Sequence, residues 1–429
     1  MRNPPRLALL LAAALFSRAQ NAPQSLNLRQ AEQIALHNHP RIASAALTAQ
    51  AAAQVTAEVR SAYMPQVFGN FTGAGASDGS RIAAGALNNP VIYDRLATGF
   101  AVSQLLTDFG RTSNLVSSAN LRAQSRQQNT EATRGETILT VDRAYFAVMR
   151  AENVLRVAQE TVKARQLVVD QVTALAQSKL KSTLDVSFAN VNLSEAKLLL
   201  ASAENDVKAA AAALSTALGY PDERAFTLAE EPMPGAILDP PESLVREAFR
   251  SRPELAAARL EEGSAQRFAK AERALAFPTV STVAAVGYIP SRQADQLVQN
   301  HYGAVGLNVS IPVLNGGLLS ARRTEADLRA LAAGQDIKDL ENRIARDVRV
   351  AYLNAVTAYQ RVGLTAQLLD QARLALDLSQ SRYQIGLGSI VELSQAQLNA
   401  TSAEIASVSA KYDYQTQRAL LDYETGTNR

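Results

Sequence analysis

Apolar residues recur every seven positions along four stretches of the chain. The first two stretches, 141–176 and 186–214, are separated by a short polar turn. The other two, 348–383 and 391–419, are separated by a turn that contains two glycines. A heptad repeat sustained over several periods is typical of helices that pack along their length. Each pair of stretches therefore predicts a long helical hairpin.

The second hairpin is a copy of the first, shifted by 207 residues. The segments that precede the two hairpins are also similar to each other, and Pro65 of the first corresponds to Pro278 of the second. Self-similarity over this length indicates a tandem duplication. In the two turns the shift superimposes Leu180 on Leu387, Ser182 on Ser389 and Asp185 on Glu392.

The segment before each hairpin changes its pattern part-way. Residues 26–63 have helical spacing of apolar residues, with Asn27 as the N-cap and Pro40 as a kink inside the helix. After Pro65 and Pro278 the sequence becomes glycine-rich, and apolar residues alternate with polar or small ones. This alternation predicts two strands in each repeat, of about ten residues each, which is near the length that crosses a bilayer.

The clearest strands are 303–311 in the second repeat and 96–103 in the first. The polar segments Ser77 to Tyr93 and Pro290 to Asn300 are predicted to be exposed hairpin loops. A helix from Arg111 to about Ser178 would be about 100 Å long.

Four segments are expected along the chain: an export signal at 1–19, a first repeat at 20–220, a proline-rich strap at 221–243 and a second repeat at 244–429. The signal combines arginines with a short apolar run and small residues at its end. Within the strap, 225–228 is predicted to add a short edge strand.

Composition excludes several classes of function. The chain has 43 basic and 40 acidic residues, and the predicted signal carries three of the arginines, so the mature chain is formally neutral. Nucleic acid is therefore not an expected partner. There is no cysteine, and the three histidines do not group with other ligands. No catalytic residue, metal site or cofactor is predicted, and we expect the protein not to be an enzyme.

Two carboxylates follow the turns. Asp185 and Glu392 lie near the starts of the return helices, where a carboxylate caps free N–H groups. The other interpretation is a role in a channel constriction, and the two roles are compatible. If the strands cross a membrane, four of them cannot close a barrel, so several copies of the chain would have to share one.

The repeated order of elements resembles the TolC family of outer-membrane efflux and secretion channels. The resemblance covers almost the whole mature chain and is carried by the tandem halves, by Pro65 and Pro278, and by the turn 383–393. It implies a mostly α-helical fold with a small transmembrane β part. It also implies a homotrimer in which a twelve-stranded β-barrel in the outer membrane continues into a periplasmic barrel of twelve helices.

The resemblance implies an exit duct of a tripartite efflux pump or of a type I secretion system. Expected partners are a periplasmic adaptor (membrane fusion) protein, an inner-membrane RND or ABC transporter, and outer-membrane lipid. The alternative is a periplasmic coiled-coil adaptor or structural tether without a pore. Bilayer-length strands favour the duct, because a tether has no need of them.

Family likeness also implies roles for the two turns. A gate or constriction would use Asp185, Tyr383 and Glu392. The alternative for Tyr383 is a core residue, because it continues the heptad series. Two positions depart from the family, because Gly388 replaces a gating arginine and Gln395 replaces a carboxylate. Adaptor docking would use Leu180, Ser182, Leu387, Gly388 and Ser389.

Overall fold

The protein is mostly α-helical, and the part of the chain that the structure describes also contains two β-sheets. The computed structural model describes residues 25–75, 77, 95–289 and 300–428. The predicted signal and most of both predicted loops lie outside these residues. The helices are α1 (Leu28–Asn38), α2 (Pro40–Arg60), α3 (Arg111–Gln177), α4 (Thr183–Ala217), α5 (Pro241–Ser251), α6 (Pro253–Ala274), α7 (Leu318–Gln384) and α8 (Ile390–Thr425), with a short 3₁₀ turn at Ser61–Tyr63.

Both predicted long helices are confirmed. The helices α3 and α7 have 67 residues each, and the return helices α4 and α8 have 35 and 36. None of the helices in the described part of the chain is both long and apolar enough to cross a membrane.

The heptad series is only partly buried in the single chain. Val141 and Val348 are fully buried. In the α8 series Tyr412 is 3% exposed, whereas Val391 and Leu398 are 55% and 50% exposed in the single chain. A straight helix has 3.6 residues per turn, so a seven-residue series drifts around its surface, and Leu393 lies in the buried seam instead.

The predicted kink at Pro40 is a complete break between two helices. Helix α1 ends at Asn38, and His39 has extended backbone with ψ of 121°. The residue before a proline is disfavoured in helical geometry, and proline itself suits the first position of a helix. The same break separates α5 from α6 at Arg252, before Pro253.

Four long strands form one antiparallel sheet in the order β2, β3, β5, β6. These strands are β2 (Gln66–Ala74), β3 (Arg95–Thr107), β5 (Thr279–Tyr288) and β6 (His301–Ser310). The short strands β1 (Ser25–Leu26) and β4 (Thr227–Leu228) pair in parallel, which confirms the short strand predicted in the strap. Each repeat therefore contributes one hairpin to the main sheet. Among the described residues, the outer strands of this sheet, β2 and β6, each have one unpaired edge.

Contacts within the chain define two compact units. One contains 25–43, 133–252 and 344–428, and the other contains the described residues of 44–132 and 253–343. The first unit has a core of apolar side chains around Tyr145, whose hydroxyl donates to the carbonyl of Leu26 at 3.0 Å. Each unit draws on both halves of the sequence, and the division into two repeats and a strap stays a prediction.

Candidate functional site

The first turn, between α3 and α4, ends its helix in left-handed backbone. The Leu180 N–H donates to the carbonyl of Leu175 at 2.9 Å, and the Lys179 N–H donates to that of Ala176 at 3.0 Å. These two bonds form a Schellman motif, which closes a helix by reversing the chain. Lys179 has a φ of +56°, a conformation that favours glycine.

The second turn, between α7 and α8, repeats this geometry. The Leu387 N–H donates to the carbonyl of Arg382 at 2.9 Å, and the Gly386 N–H donates to that of Tyr383 at 3.2 Å. Here the left-handed residue is Gly386, with a φ of +80°. The N–H of Gly388 also donates to the Arg382 carbonyl at 3.0 Å, which tightens the turn.

Serine caps the helix that follows each turn. The Ser182 hydroxyl accepts from the N–H of Leu184 at 3.1 Å, and Asp185 accepts from the Ser182 N–H at 3.1 Å, so the two residues form a capping box. Ser389 accepts from the N–H of Glu392 at 3.1 Å. The capping interpretation of Asp185 is therefore confirmed.

Glu392 has a different partner. Its carboxylate lies 3.2 Å from the Nε of Arg382, on the other helix of the same hairpin. Arg382 also donates to the carbonyl of Leu387 at 3.3 Å. Both charged side chains are about half exposed, so this pair adds little stability by itself. Its consequence is geometric, because it holds the Glu392 carboxylate beside the second turn.

Tyr383 is a buried residue with an unused hydroxyl. It is 7% exposed and packs with Val172, Ile390 and Leu393, which join both hairpins in one apolar cluster. Its hydroxyl has no hydrogen-bond partner in the part of the chain that the structure describes. Burial raises the pKa of Tyr383, and the Asp185 carboxylate raises it further. Tyr383 thus has the surroundings of a core residue and lies within the electrostatic influence of Asp185.

The predicted docking positions differ in exposure. Leu180 and Leu387 are 71% and 69% exposed. Ser182 and Ser389 are exposed as well, while Gly388 is half-buried. Each turn therefore presents a leucine to solvent, together with the serine that caps the following helix.

Two residues of the site were missed from the sequence. The first is Arg382, which pairs with Glu392 across the second turn. The second is Lys181, whose Nζ lies 4.2 Å from the centroid of the Tyr383 ring. The sequence feature that indicates these two residues is a basic side chain beside turns that otherwise consist of small and apolar residues. Their partners follow only from the packing of one hairpin on the other.

Comparison with known proteins identifies the family. The family model described as "Outer membrane efflux protein" matches residues 31–220 and 244–427, most of the chain. The chain belongs to the outer membrane efflux protein family. It is therefore an outer-membrane channel protein, an exit duct for efflux or secretion rather than an enzyme.

Several relatives of this efflux protein are similar over nearly their whole length. The outer membrane protein TolC of Salmonella enteritidis is 24% identical, with 98% of this chain and 86% of that protein covered. TolC of Vibrio cholerae is 25% identical, with 95% and 92% covered.

Solved channel structures have the same fold. The outer-membrane channel OprN matches with a TM-score of 0.80 at 18% identity, covering 93% of this chain and 90% of that one. The outer membrane protein VceC of Vibrio cholerae matches with a TM-score of 0.79 at 20% identity, covering 93% and 96%. The resemblance to the TolC family is thereby confirmed.

Proposed function

We propose that this efflux protein works as a homotrimeric exit duct of a tripartite export system. Cargo would pass without an energy source in the duct itself, through a twelve-stranded barrel and a tube of twelve helices. Its partners would be a periplasmic adaptor and an inner-membrane RND or ABC transporter. The names of two relatives support an export role, since one is a pyoverdine export outer membrane protein and the other an alkaline protease secretion protein, both of Pseudomonas aeruginosa.

The open four-stranded sheet carries the proposal. Within the described ranges, strands β2 and β6 each leave a row of backbone groups unpaired. Such groups are costly in lipid unless another strand joins them. Large apolar side chains of the sheet are also exposed, among them Phe71 at 73% and Val305 at 79%. Three copies joined edge to edge would pair every strand and supply twelve of them.

Fractionation tests the duct against the tether. The duct predicts a trimer in detergent extracts of the outer membrane, resistant to heat before full denaturation. A soluble periplasmic monomer would exclude the duct and favour the tether.

A substitution in the sheet makes the fractionation test more specific. Val305→Asp should reduce recovery of the protein from the membrane, because it places a charge on a lipid-facing strand. The matched control is Leu331→Asp on α7, which is 67% exposed.

The gate would lie at the two turns. Tyr383, Asp185 and Glu392 occur at the ends of the hairpins, and three copies would place six turns around one opening. The shared apolar cluster of Tyr383 and Val172 supports a closed state in which the hairpins are held together. The gate would open when an assembled transporter and adaptor spread the hairpins. Docking of the adaptor would use Leu180, Ser182, Leu387, Gly388 and Ser389.

Single-channel recording in planar bilayers tests the gate. The double variant Asp185→Ala with Tyr383→Phe is expected to raise conductance, because the proposed closed state uses this carboxylate and this hydroxyl. The control is Ser182→Ala, which weakens the same helix cap but keeps both groups. Unchanged conductance in the double variant, or an equal rise in the control, would remove these residues from the gate.

A further inference from the structure

We propose that Lys181 is a positioning residue of the closed gate, one that holds the first turn against the ring of Tyr383. The inference rests on the proposed gate and adds a residue to it. The Lys181 Nζ lies 4.2 Å from the centroid of the Tyr383 ring. An ammonium group within about 6 Å of a ring centroid is attracted by the negative face of the ring. Lys181 is half-buried, so water screens this attraction less than at a fully exposed site.

The contact joins the two hairpins of one chain. Lys181 belongs to the turn after α3, whereas Tyr383 lies in the last turn of α7. The hairpins also meet through a bond from Asn192 on α4 to Ser394 on α8, at 2.6 Å. Any movement that separates the first turn from the second must break the Lys181 contact. The contact lies at the very ends of the hairpins, where separation would begin.

The residues of the second turn, 385–389, include no basic side chain that could lie over the Tyr383 ring. A Cβ on Gly388 would lie 3.2 Å from the backbone N of Tyr383 and 3.3 Å from the carbonyl carbon of Arg382, closer than ordinary contact. A side chain at Gly388 would therefore need the turn to shift. The Arg382 guanidinium is already paired with Glu392. The cation over Tyr383 thus comes from the opposite turn.

The chemistry of the contact makes it separable from the hydroxyl of Tyr383. A cation–π contact uses the face of the ring, and phenylalanine provides a face as well. Tyr383→Phe should therefore keep the effect of Lys181, while Tyr383→Leu should abolish it. Lys181→Arg should preserve the contact, since a guanidinium also binds over a ring.

The experiment records open probability of the full-length trimer in planar bilayers. Lys181→Met is expected to raise it about two- to fivefold, the factor that a partly exposed cation–π contact supplies. Lys181→Arg should remain near wild type. The matched control is Lys179→Met, which removes the same charge from the same turn and keeps a side chain at the left-handed position. A further effect of Lys181→Met should appear in the Tyr383→Phe background and not in the Tyr383→Leu background.

Other results would overturn the role of Lys181, either alone or together with the gate. An equal rise in Lys181→Met and Lys179→Met would overturn the proposal, since loss of charge near the opening would then be the cause. No change in Lys181→Met, together with a rise in Asp185→Ala with Tyr383→Phe, would overturn the role of Lys181 and leave the gate intact. No change in any of these variants would overturn the gate and, with it, the role of Lys181.

Discussion

The two repeats have left-handed backbone at the same places but fill those places differently. Where the strands lead into the long helices, the first repeat has Phe109 with a φ of 53°, and the second has Gly316 with a φ of 59°. At the turns, Lys179 corresponds to Gly386 in the same way. At the ends of the return helices both repeats have glycine, at Gly219 and Gly426.

The space available to a Cβ atom explains why some of these positions have a side chain and others have glycine. A Cβ on Gly316 or Gly386 would meet no atom within 4 Å, so only the backbone conformation penalises a side chain there. A Cβ on Gly219 would lie 3.0 Å from the carbonyl group of Asn38, and one on Gly426 would lie 2.8 Å from the Ser251 hydroxyl oxygen. Among these three corners, both repeats have glycine only at the crowded one, at the ends of the return helices.

The largest effect should come from filling the crowded corner. Gly219→Ala and Gly426→Ala should each lower the free energy of unfolding by about 2 to 4 kcal/mol, because left-handed strain adds to overpacking. Denaturant titration of the detergent-solubilised protein measures this. Gly386→Ala is the matched control, since its φ is similar and its Cβ has space, and it should lose only about 1 kcal/mol. Equal losses at all three positions would remove crowding as the explanation.

A second contrast between the repeats concerns buried charge. In the first repeat Glu32 of α1 faces Asp142 of α3, which is 5% exposed. Burial and the nearby carboxylates of Glu32 and Asp422 raise the pKa of Asp142 to about 8. In the second repeat the corresponding positions are the buried Val245 and the exposed Arg349. The first repeat therefore has a carboxylate junction, Glu32 with Asp142, that is absent at the two corresponding positions of the second repeat.

This junction predicts a pH dependence of stability. The folded protein retains a proton on Asp142 that the unfolded chain loses above its ordinary pKa of 3.8. Stability should therefore fall as the pH rises from about 4 to about 8 and then level off. Asp142→Asn should be about 1 to 3 kcal/mol more stable than wild type at pH 8 and nearly equal to it at pH 4.

Thermal unfolding in detergent at a series of pH values measures the effect of Asp142→Asn. The control is Val245→Asn, which places an amide at the buried position of the second repeat that corresponds to Glu32. That variant should lose stability equally at every pH, because valine and asparagine do not titrate. A wild-type profile that is flat between pH 4 and 8 would contradict a protonated Asp142.

Sequence patterns predicted the helices and strands better than the side-chain contacts between them. The seven-residue series and the shift of 207 residues predicted the two hairpins. The series depends only on the geometry of one helix, and the shift depends only on the sequence. The proline positions predicted a disturbance at Pro40 but not the complete break. The side-chain contacts of the turns could not be predicted, since the position of Lys181 over Tyr383 depends on how one hairpin packs against the other.

The smallest effect should come from exchanging the residues at the open turns. Lys179→Gly should raise the free energy of unfolding by about 1 kcal/mol, because it removes left-handed strain at an exposed residue. Gly386→Lys should lower it by a similar amount, since its Cβ has space and only the backbone is penalised. The double exchange should then be close to wild type, because the two turns have the same hydrogen bonds. Denaturant titration of the three variants tests this, and a large loss in the double exchange would show that the two turns are not equivalent scaffolds.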